Sequence, residues 1–355
     1  MLRNIRILDL TQYLPGPFAT NRLVQLGAEV IKVESPKGDL ARTMTGRETS
    51  PIFTAMNRHK RSLVLNLKEK DDVEKFYNLV KTADIVIESF RPSVAKRLKI
   101  DYDSLLPYKK DLIYCSLSGY GQKGRLSSHG SHDLNYMALS GVLSQMKDES
   151  GKPVHPTLTF ADLIGGMYAN EAILAALLRR ERAEKGVYLD LSLVDPLLSF
   201  MQVHQEVYKE ENKLHGLSDI NGTIINYYIY QTKDKRYVAL GALEKKFWNN
   251  FCEAVEKEEW KKAYYSKATQ TNPTFLEVQS LFHSKTLEEW ATVGLLNDCC
   301  LTPILEVNEL NTYPLFADRN SIMNKSGDIY YYSYPFLKEQ RVVSKPPKMG
   351  EFSFE

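Results

Sequence analysis

Short apolar segments alternate with amphipathic segments over residues 5–121, and this alternation is the strongest constraint on the fold. Apolar segments typical of strands occur at residues 5–10, 29–36, 62–67, 83–90 and 112–121. Between them, apolar residues recur at helical spacing at residues 18–28, 70–82 and 93–98. Strands and helices that alternate in this way form a mostly parallel sheet covered by helices on both faces. We therefore predict an α/β fold with a Rossmann-like N-terminal half.

The turn after the first predicted strand lacks the glycine pattern of dinucleotide-binding folds. Residues 11–20 read TQYLPGPFAT instead of GxGxxG, so NAD or FAD binding loses its main support. Ligands of such sheets still bind beyond the carboxyl ends of the strands. Attention therefore falls on the segments that follow the predicted strands, at residues 12–20, 35–42, 66–68, 89–91 and 116–121.

The pattern of apolar residues changes in the second half of the chain. A long helix is predicted from Asp162 to Gly186, followed by a strand at 187–195 and a helix at 196–210. Residues 221–244 read as two alternating strands around a Lys-Asp-Lys turn, which predicts an antiparallel hairpin. Helical patterns follow at 245–256 and 286–298. We predict a large Rossmann-like domain at 1–210, a small α+β domain at 220–310, and a segment at 311–355 that returns to the large domain.

Charge and cysteine usage limit the functions open to the chain. The net charge is +2, with 43% hydrophobic and 25% charged residues, so no bulk basicity indicates a nucleic-acid or membrane-surface partner. The cysteines form no CxxC or metal spacing, and the adjacent pair would strain a disulfide: they are Cys115, Cys252, Cys299 and Cys300. We expect reduced cysteines, no metal site and a cytoplasmic location.

Neither a signal peptide nor a membrane span is expected. Arg3, Arg6 and Asp9 interrupt the short apolar run near the N-terminus, which alternates like a strand. No segment reaches the ~18 uncharged apolar residues of a spanning helix. We expect a soluble protein.

A histidine and an aspartate are adjacent in residues 130–141, GSHDLNYMALSG. Asp133 precedes an apolar run at helical spacing, and aspartate is a favoured N-cap residue, so we predict that it begins and caps a helix. This role leaves His132 unexplained. An isolated histidine is more often structural than catalytic, and position alone does not decide between the two.

Motifs in a shared order give the chain a resemblance to a known family. They are ILDLTQYLPGPFAT, LGAEVIKVESP, NRHKRSLVLNLK, ADIVIESFRPSVAKRL, SLSGYGQKG, SHDLNYMALSG, ADLIGGM, VYLDLSLVD, YVALGALE and CCLTPILEVNEL. Each is weak alone, but together and in this order they resemble the family III CoA-transferase superfamily, and within it the α-methylacyl-CoA racemases. The resemblance implies an interlocked homodimer, with the active site shared between chains. It also implies acyl-CoA substrates of lipid metabolism, in which coenzyme A enters as part of the thioester and no separate cofactor is needed.

The resemblance assigns two acid/base residues. Transferases of the superfamily use an aspartate at the position of Asp162 as a nucleophile and usually lack a histidine at the position of His132. Racemases have that histidine and pair it with the same aspartate, and both residues are present here. Inversion of a carbon beside a thioester needs two such groups on opposite faces, and imidazole and carboxyl can exchange roles near neutral pH.

Two further catalytic roles are implied by the resemblance. The backbone N–H of Asp133 is expected to stabilise the enolate oxygen, since fixed donors there lower the barrier strongly. Glu244 matches a racemase glutamate that hydrogen-bonds the histidine and orients it. From the residues alone, Asp162 could equally be a helix N-cap and Glu244 the solvated start of a helix.

Contacts with coenzyme A are also implied by the resemblance. Arginines suit its phosphates through bidentate hydrogen bonds, although Lys68 and Arg97 could be bare surface charges. The residues expected to bind coenzyme A are Leu65, Asn66, Leu67, Lys68, Ser89, Phe90, Arg91, Arg97, Ser131, Asn135 and Tyr136.

One departure from the family pattern affects this site. Racemases often carry an arginine just before the proline of the ESP motif, where this chain has Ser35. One phosphate or adenine contact is therefore lost or moved, and Arg42 or Arg58 is the expected replacement. This departure affects the prediction of which substrate is bound more than the prediction of which class of reaction is catalysed.

Three functions fit the sequence. The first is a racemase acting on 2-methylacyl-CoA thioesters. The second is a CoA-transferase that moves coenzyme A between carboxylic acids through an aspartyl-CoA thioester on Asp162. The third is a non-catalytic acyl-CoA-binding scaffold, which would have no need of His132, Asp162 and Glu244 together. Apolar pocket residues do not encode the length of the acyl chain.

Overall fold

The chain divides into two compact units. The computed structural model describes residues 1–44, 46, 49–148, 150–183, 185–217, 219–325, 328–334, 337 and 344–353. The first unit comprises Met1–Val203 and Leu315–Glu355, and the second comprises His204–Pro314. The predicted domains at 1–210, 220–310 and 311–355 have boundaries a few residues away, and the first observed boundary falls inside a helix.

A single parallel sheet forms the centre of the first unit. Its strands are β1 (Arg6–Leu10), β2 (Glu29–Glu34), β3 (Arg61–Val64), β4 (Ile85–Glu88), β5 (Ile113–Ser118) and β6 (Val187–Ser192). They follow the order β3-β2-β1-β4-β5-β6, and every neighbouring pair is parallel. The predicted α/β class and parallel sheet are confirmed. In this doubly wound order a crevice opens where the strand order reverses, beside β1 and β4.

Helices connect the strands and cover the sheet. They are α1 (Pro15–Gln25), α2 (Pro51–Asn57), α3 (Lys70–Val80), α4 (Val94–Arg97), α5 (Tyr102–Leu105), α6 (Asp133–Leu139), α7 (Val142–Gln145), α8 (Phe160–Ala183) and α9 (Asp195–Phe200), with a 3₁₀ turn at Leu40–Arg42. Helix α10 (Gln202–Glu211) follows α9 and lies mostly in the second unit. Helix α1 begins three residues before the prediction, because Pro15 occupies its first position, where a missing N–H has no consequence. The single helix predicted at 196–210 is two helices that meet at Met201.

Apolar side chains are buried on both faces of the sheet. On one face, Ile7 packs with Leu23 of α1 and Ile173 of α8. On the other face, Leu8 packs with Phe76 of α3. Successive residues of a strand point to opposite faces, so a strand covered on both sides reads as a continuous apolar run.

Helix α8 is the longest of the unit and packs along α1. Its segment Phe160–Arg182 is, among the described residues, the one helix long and apolar enough to cross a membrane by length and composition. That segment is 44% buried over its most apolar window. The core helix of a globular domain has the same composition, because it is apolar nearly all round.

The second unit contains a small antiparallel sheet and its own core. Strands β7 (Tyr227–Gln231), β8 (Tyr237–Gly241) and β9 (Leu301–Pro303) pair in that order, so the hairpin predicted at 221–244 is confirmed. Helices α11 (Lys245–Ala254), α12 (Pro273–Phe282) and α13 (Leu287–Asn297) accompany two 3₁₀ segments, Glu258–Ala263 and Val307–Glu309. The core is aromatic and includes Trp248, Phe282 and Trp290.

The segment after the second unit contains α14 (Pro314–Asp318) and the antiparallel strands β10 (Ile322–Lys325) and β11 (Asp328–Tyr331). All four cysteines are free: Cys115, Cys252 and Cys299 are buried, and Cys300 is half-buried.

Candidate active site

A pocket of about 130 Å³ lies beyond the carboxyl ends of β1 to β4. The turn after β1 contributes Gln12, the turn after β2 contributes Ser35, and the turn after β3 contributes Asn66. Phe90 after β4 and Leu98 after α4 complete the wall. The pocket therefore occupies the crevice where doubly wound sheets bind their ligands.

The residues predicted to bind coenzyme A lie in or beside this pocket. Those that line it are Leu65, Asn66, Leu67, Lys68 and Phe90. Ser89, Arg91 and Arg97 are chain neighbours of the lining residues Phe90 and Leu98. Lys68, Arg91 and Arg97 are exposed, so three cations stand near a pocket with an apolar wall. Their contact with coenzyme A stays a prediction.

The first turn of α3 fixes the loop that follows β3. The backbone N–H of Asn66 donates to the Asp72 carboxylate (2.8 Å), and the Asn66 side chain accepts from the backbone N–H of Lys68 (3.3 Å). A hydrogen bond from Lys75 and the Asn66 N–H lower the pKa of Asp72. The loop is thereby held in one conformation at the mouth of the pocket.

The two arginines expected to replace the family arginine at position 35 both have protein partners. The Arg42 guanidinium forms a bidentate pair with Glu34 (2.7 and 2.6 Å) and donates to the Pro347 carbonyl (3.1 Å). Arg58 lies 4.3 Å from the centre of the Tyr330 ring and is also bonded within the C-terminal segment. Both guanidinium groups therefore have protein partners that they would have to share or give up to bind coenzyme A, and their expected contact with it stays a prediction.

Helix α6 begins at the predicted histidine–aspartate pair, but its N-cap is not the residue that was expected. His132 is the N-cap of α6, and its backbone N–H donates to the Asn135 side chain (3.1 Å). The His132 side chain is exposed. Asp133 is the first helical residue, so the prediction that Asp133 caps α6 is wrong.

Asp133 instead caps the helix that carries Asp162. Its carboxylate accepts the backbone N–H of Asp162 (3.0 Å), one of the first N–H groups of α8, which have no acceptor within their own helix. Burial raises the pKa of Asp133. Asp162 is the third residue of α8 and not its N-cap, so its side chain is not needed to begin the helix.

The Asp162 carboxyl lies in an environment that disfavours its charge. Burial, and then the negative charge of Asp133, raise its pKa to about 7. A carboxyl group with this pKa is present in both protonation states near neutral pH, as an acid/base catalyst requires. Helices α6 and α8 pack together, and the Asp133 hydrogen bond joins their N-terminal ends.

A hydrogen bond and close packing hold the loop that contains His132. The Tyr136 hydroxyl donates to the Ser131 carbonyl (3.0 Å), and burial raises the pKa of Tyr136 to about 12. A Cβ on Gly119 would lie 2.5 Å from that hydroxyl oxygen, so only glycine fits there. Ser131, Asn135 and Tyr136 thus have structural partners within the loop, and their predicted contact with coenzyme A stays a prediction.

Arg91 approaches the same loop from β4. A Cβ on Gly130 would lie 2.9 Å from Nη2 of Arg91, so the absence of a side chain at Gly130 lets the guanidinium pack against the backbone. Gly130 is two residues before His132. Arg91, which follows the pocket residue Phe90, therefore contacts the loop that contains His132, called here the histidine loop.

Glu244 belongs to the second unit, where it is the N-cap residue of α11 and is exposed. Its local environment is the one given by the alternative interpretation, in which Glu244 is a solvated residue at the start of a helix. Its predicted hydrogen bond to His132 joins residues of different units and stays a prediction.

Two groups of buried charges were not predicted. Glu88 ends β4 and is 2% exposed, and burial raises its pKa to about 7. The sequence signal for this buried charge was a glutamate inside the apolar run ADIVIESF. Asp9 at the end of β1 accepts from Lys60 (3.0 Å), while Lys32 donates to the Thr11 carbonyl (2.8 Å). Although burial opposes ionisation of Asp9, Lys60 and Lys32 hold its pKa low. These charges fix the turn after β1.

Nowhere in the part of the chain that the structure describes do three or more potential ligands cluster as a metal site requires.

Comparisons with known proteins identify relatives of two reaction types. The sequence profile of CoA-transferase family III matches residues 2–352. The chain is 31% identical to the alpha-methylacyl-CoA racemase of Mus musculus over 365 residues, covering 100% of this chain and 92% of that protein. It is 30% identical to the acetyl-CoA:oxalate CoA-transferase of Acetobacter aceti over 340 residues, covering 90% and 85% respectively.

A solved structure has the same fold. The CAIB/BAIF family protein from Brucella suis superposes with a TM-score of 0.85 at 24% identity, over 98% of this chain and 96% of that one.

Proposed function

The chain belongs to CoA-transferase family III, and on that premise we propose that it is a racemase that inverts the α-carbon of 2-methylacyl-CoA thioesters. One observation carries the proposal. His132, with an exposed imidazole, and Asp162, with a carboxyl pKa of about 7, lie in the N-terminal ends of two packed helices that Asp133 joins. These are two acid/base groups suited to exchanging roles near neutral pH.

The chemistry is a balanced pair of proton transfers. For one enantiomer, neutral His132 removes the α-proton, and the electrons of the C–H bond move to the thioester oxygen to form an enolate. Protonated Asp162 then donates its proton to the opposite face of the carbon, and the carbonyl re-forms. For the other enantiomer the two residues exchange roles. Nothing is oxidised or reduced, and one proton enters the carbon for each that leaves.

The enolate oxygen needs a fixed donor. Asp133 is the first residue of α6, and the first N–H groups of a helix have no acceptor within it. As in the racemases that the chain resembles, we assign the Asp133 N–H to this oxygen. Its carboxylate, which holds the start of α8, fixes this N–H relative to Asp162.

The CoA part of the substrate is assigned to the pocket beyond the strand ends. The apolar wall formed by Leu65, Leu67 and Phe90 suits the adenine ring, and Lys68, Arg91 and Arg97 suit the phosphates. Coenzyme A enters and leaves as part of the thioester.

We assign the active form to an interlocked homodimer in which Glu244 of one chain orients His132 of the other. Exposed large apolar side chains on the helices of the first unit support this assignment, because burial between two chains would remove their apolar surface from water. They include Leu139, Met167, Leu178, Leu198 and Phe200, each about half exposed or more.

The alternative function is transfer of coenzyme A, which the relationship to the acetyl-CoA:oxalate CoA-transferase favours. In that reaction the Asp162 carboxylate would attack the thioester carbonyl, and the resulting acyl anhydride would then be attacked by the CoA thiolate at the Asp162 carbonyl, which releases the carboxylic acid. The reaction needs a charged Asp162 and gives His132 no role. The raised pKa of Asp162 and the presence of His132 therefore favour the racemase.

Deuterium exchange combined with hydroxylamine trapping separates the two reactions. We expect the protein to introduce deuterium from D2O at the α-carbon of 2-methylacyl-CoA, as measured by mass spectrometry. A 2,2-dimethylacyl-CoA, which has no α-proton, is the matched control and should gain none. Hydroxylamine added with an acceptor carboxylate should leave Asp162 unmodified. A hydroxamate on Asp162 without α-exchange would instead establish the transferase.

A further inference from the structure

The peptide groups on both sides of Phe90, a residue of the pocket wall, are held by two side chains. Its backbone N–H donates to Oε2 of Glu88 (2.6 Å), and its carbonyl accepts from the side-chain amide of Gln122 (3.3 Å). Glu88 ends β4, whereas Gln122 lies in the loop after β5. The backbone of the turn at Phe90 is therefore fixed from two separate elements.

Glu88 is itself fixed by the neighbouring strands. The Ser116 hydroxyl on β5 donates to its other oxygen, Oε1. The Tyr188 hydroxyl on β6 in turn donates to the Ser116 oxygen (3.3 Å). Because Glu88 is almost fully buried, it has few alternative positions, and its hydrogen bond to Phe90 fixes that N–H precisely relative to the sheet.

Gln122 is held in place by β6. Its backbone N–H donates to the Asp190 carboxylate (2.8 Å). Gly121, just before it, has φ +77°, a left-handed conformation that glycine adopts readily. Three adjacent strand ends, those of β4, β5 and β6, thus converge on the turn at Phe90.

Arg91 follows this turn directly and reaches the histidine loop. Its guanidinium packs against Gly130, two residues before His132. A shift of the turn at Phe90 would move this guanidinium, because the two residues are adjacent. The Phe90 turn therefore sets where Arg91 lies relative to both the pocket and the loop.

We propose that Glu88 and Gln122 are positioning residues that hold the Phe90 turn so that Arg91 binds the phosphates of the CoA thioester. The inference rests on the proposed CoA-thioester substrate and concerns substrate affinity, not proton transfer. Neither side chain needs to touch the substrate. Each acts through a hydrogen bond to the backbone of Phe90.

Three variants test the proposal: Glu88→Ala, Glu88→Gln and Gln122→Ala. Calorimetric affinity for free coenzyme A and the kinetic constants for 2-methylacyl-CoA are measured on each. Glu88→Ala and Gln122→Ala should each weaken CoA binding about tenfold, as the loss of one hydrogen bond predicts. KM should rise while kcat stays near the wild-type value. Glu88→Gln should bind nearly as wild type, because its amide oxygen still accepts from Phe90 and its amide group donates to Ser116.

Asp84→Ala is the matched control. Asp84 lies just before β4, at the end remote from the pocket, where its carboxylate also accepts a backbone N–H, that of Arg6 (2.8 Å). Its removal should lower the free energy of unfolding and leave CoA affinity unchanged. In an Arg91→Ala background, Glu88→Ala should have little further effect, because the two changes act through the same contact.

The outcomes separate the inference from the proposed function. Wild-type protein that does not bind coenzyme A would overturn both. Arg91→Ala protein with wild-type affinity would remove Arg91 from the phosphate site, and the inference with it. Binding that weakens in Arg91→Ala but not in Glu88→Ala or Gln122→Ala would overturn the inference alone. If Glu88→Ala does not fold, Gln122→Ala decides, since Gln122 is only half-buried.

Discussion

At the scale of single residues, Asp162 has surroundings that oppose the charge of its carboxyl group. Burial and the adjacent Asp133 carboxylate raise its pKa. A group placed for catalysis in this way lowers stability at the pH where it ionises, and such a conflict between function and stability is common in active sites.

This conflict predicts how Asp162→Asn changes stability with pH. The unfolded carboxyl loses its proton near its ordinary pKa of about 4, but the folded one loses it near 7. Between these values the unfolded chain binds fewer protons, so the wild-type free energy of unfolding falls as pH rises. Asparagine does not ionise. The stability of Asp162→Asn relative to wild type should therefore increase from about pH 4 to about pH 7 and then level off.

Urea unfolding at about pH 5 and about pH 8 measures this difference. Asp148→Asn is the control without a pH dependence in this window, because a hydrogen bond from Ser150 lowers the pKa of that exposed carboxylate, which is therefore ionised in the folded and the unfolded chain at both pH values. The stability of that variant relative to wild type should be the same at about pH 5 and about pH 8. A relative stability of Asp162→Asn that does not change with pH would contradict the raised pKa of Asp162.

At the scale of elements, α8 packs closely against α1 one turn after Asp162. A Cβ on Gly166 would lie 2.6 Å from the Pro15 carbonyl oxygen, and one on Gly165 would lie 2.2 Å from a methyl carbon of Leu193. The Asn170 side chain donates to the Ala19 carbonyl (2.7 Å). Gly166 therefore sets the distance between the two helices, one turn after Asp162, whereas Gly165 leaves room for the Leu193 side chain.

The two glycines should respond differently to the same change. Gly166→Ala should lower the free energy of unfolding by about 1–3 kcal/mol, because its methyl group meets the backbone of α1, which cannot move alone. Gly165→Ala should cost less, since the Leu193 side chain can adopt another rotamer. Both gain the same helix propensity, about 1 kcal/mol, so the comparison isolates packing.

Urea denaturation of the two glycine variants gives these values. An equal loss of stability in both, or a smaller loss in Gly166→Ala, would show that the contact between α1 and α8 is not the constraint we describe.

At the scale of the whole molecule, the parallel sheet was predictable because its central strands, β1, β2, β4 and β5, are buried. Val86 and Ile87 of β4 face opposite sides of the sheet and are both buried, so the strand appears in the sequence as an unbroken apolar run. Two helices were overlooked despite their signals. Ser50 before α2 and Asn272 before α12 are N-caps followed by proline, a common helix start.

The site was less predictable, because its contacts join residues far apart in the chain. The Asp133 carboxylate was expected to cap its own helix but bonds to α8, 29 residues on. Arg42 was expected to reach a phosphate but pairs with Glu34. A sequence pattern indicates which residue types can bind or cap, whereas the partner that each one finds depends on the packing of whole elements.

In the proposed reaction, His132 and Asp162 serve opposite faces of one carbon, and the rest of the mechanism depends on this assignment. Deuterium incorporation from D2O into each pure enantiomer of a 2-methylacyl-CoA, by the variants His132→Ala and Asp162→Asn, tests it most directly. His132→Ala should still exchange the enantiomer that Asp162 serves, and Asp162→Asn only the other. Net inversion should fall about a hundredfold or more in each, the scale of one lost acid/base group. Inversion at the wild-type rate by His132→Ala, or loss of all exchange only in Asp162→Asn, would contradict the claim.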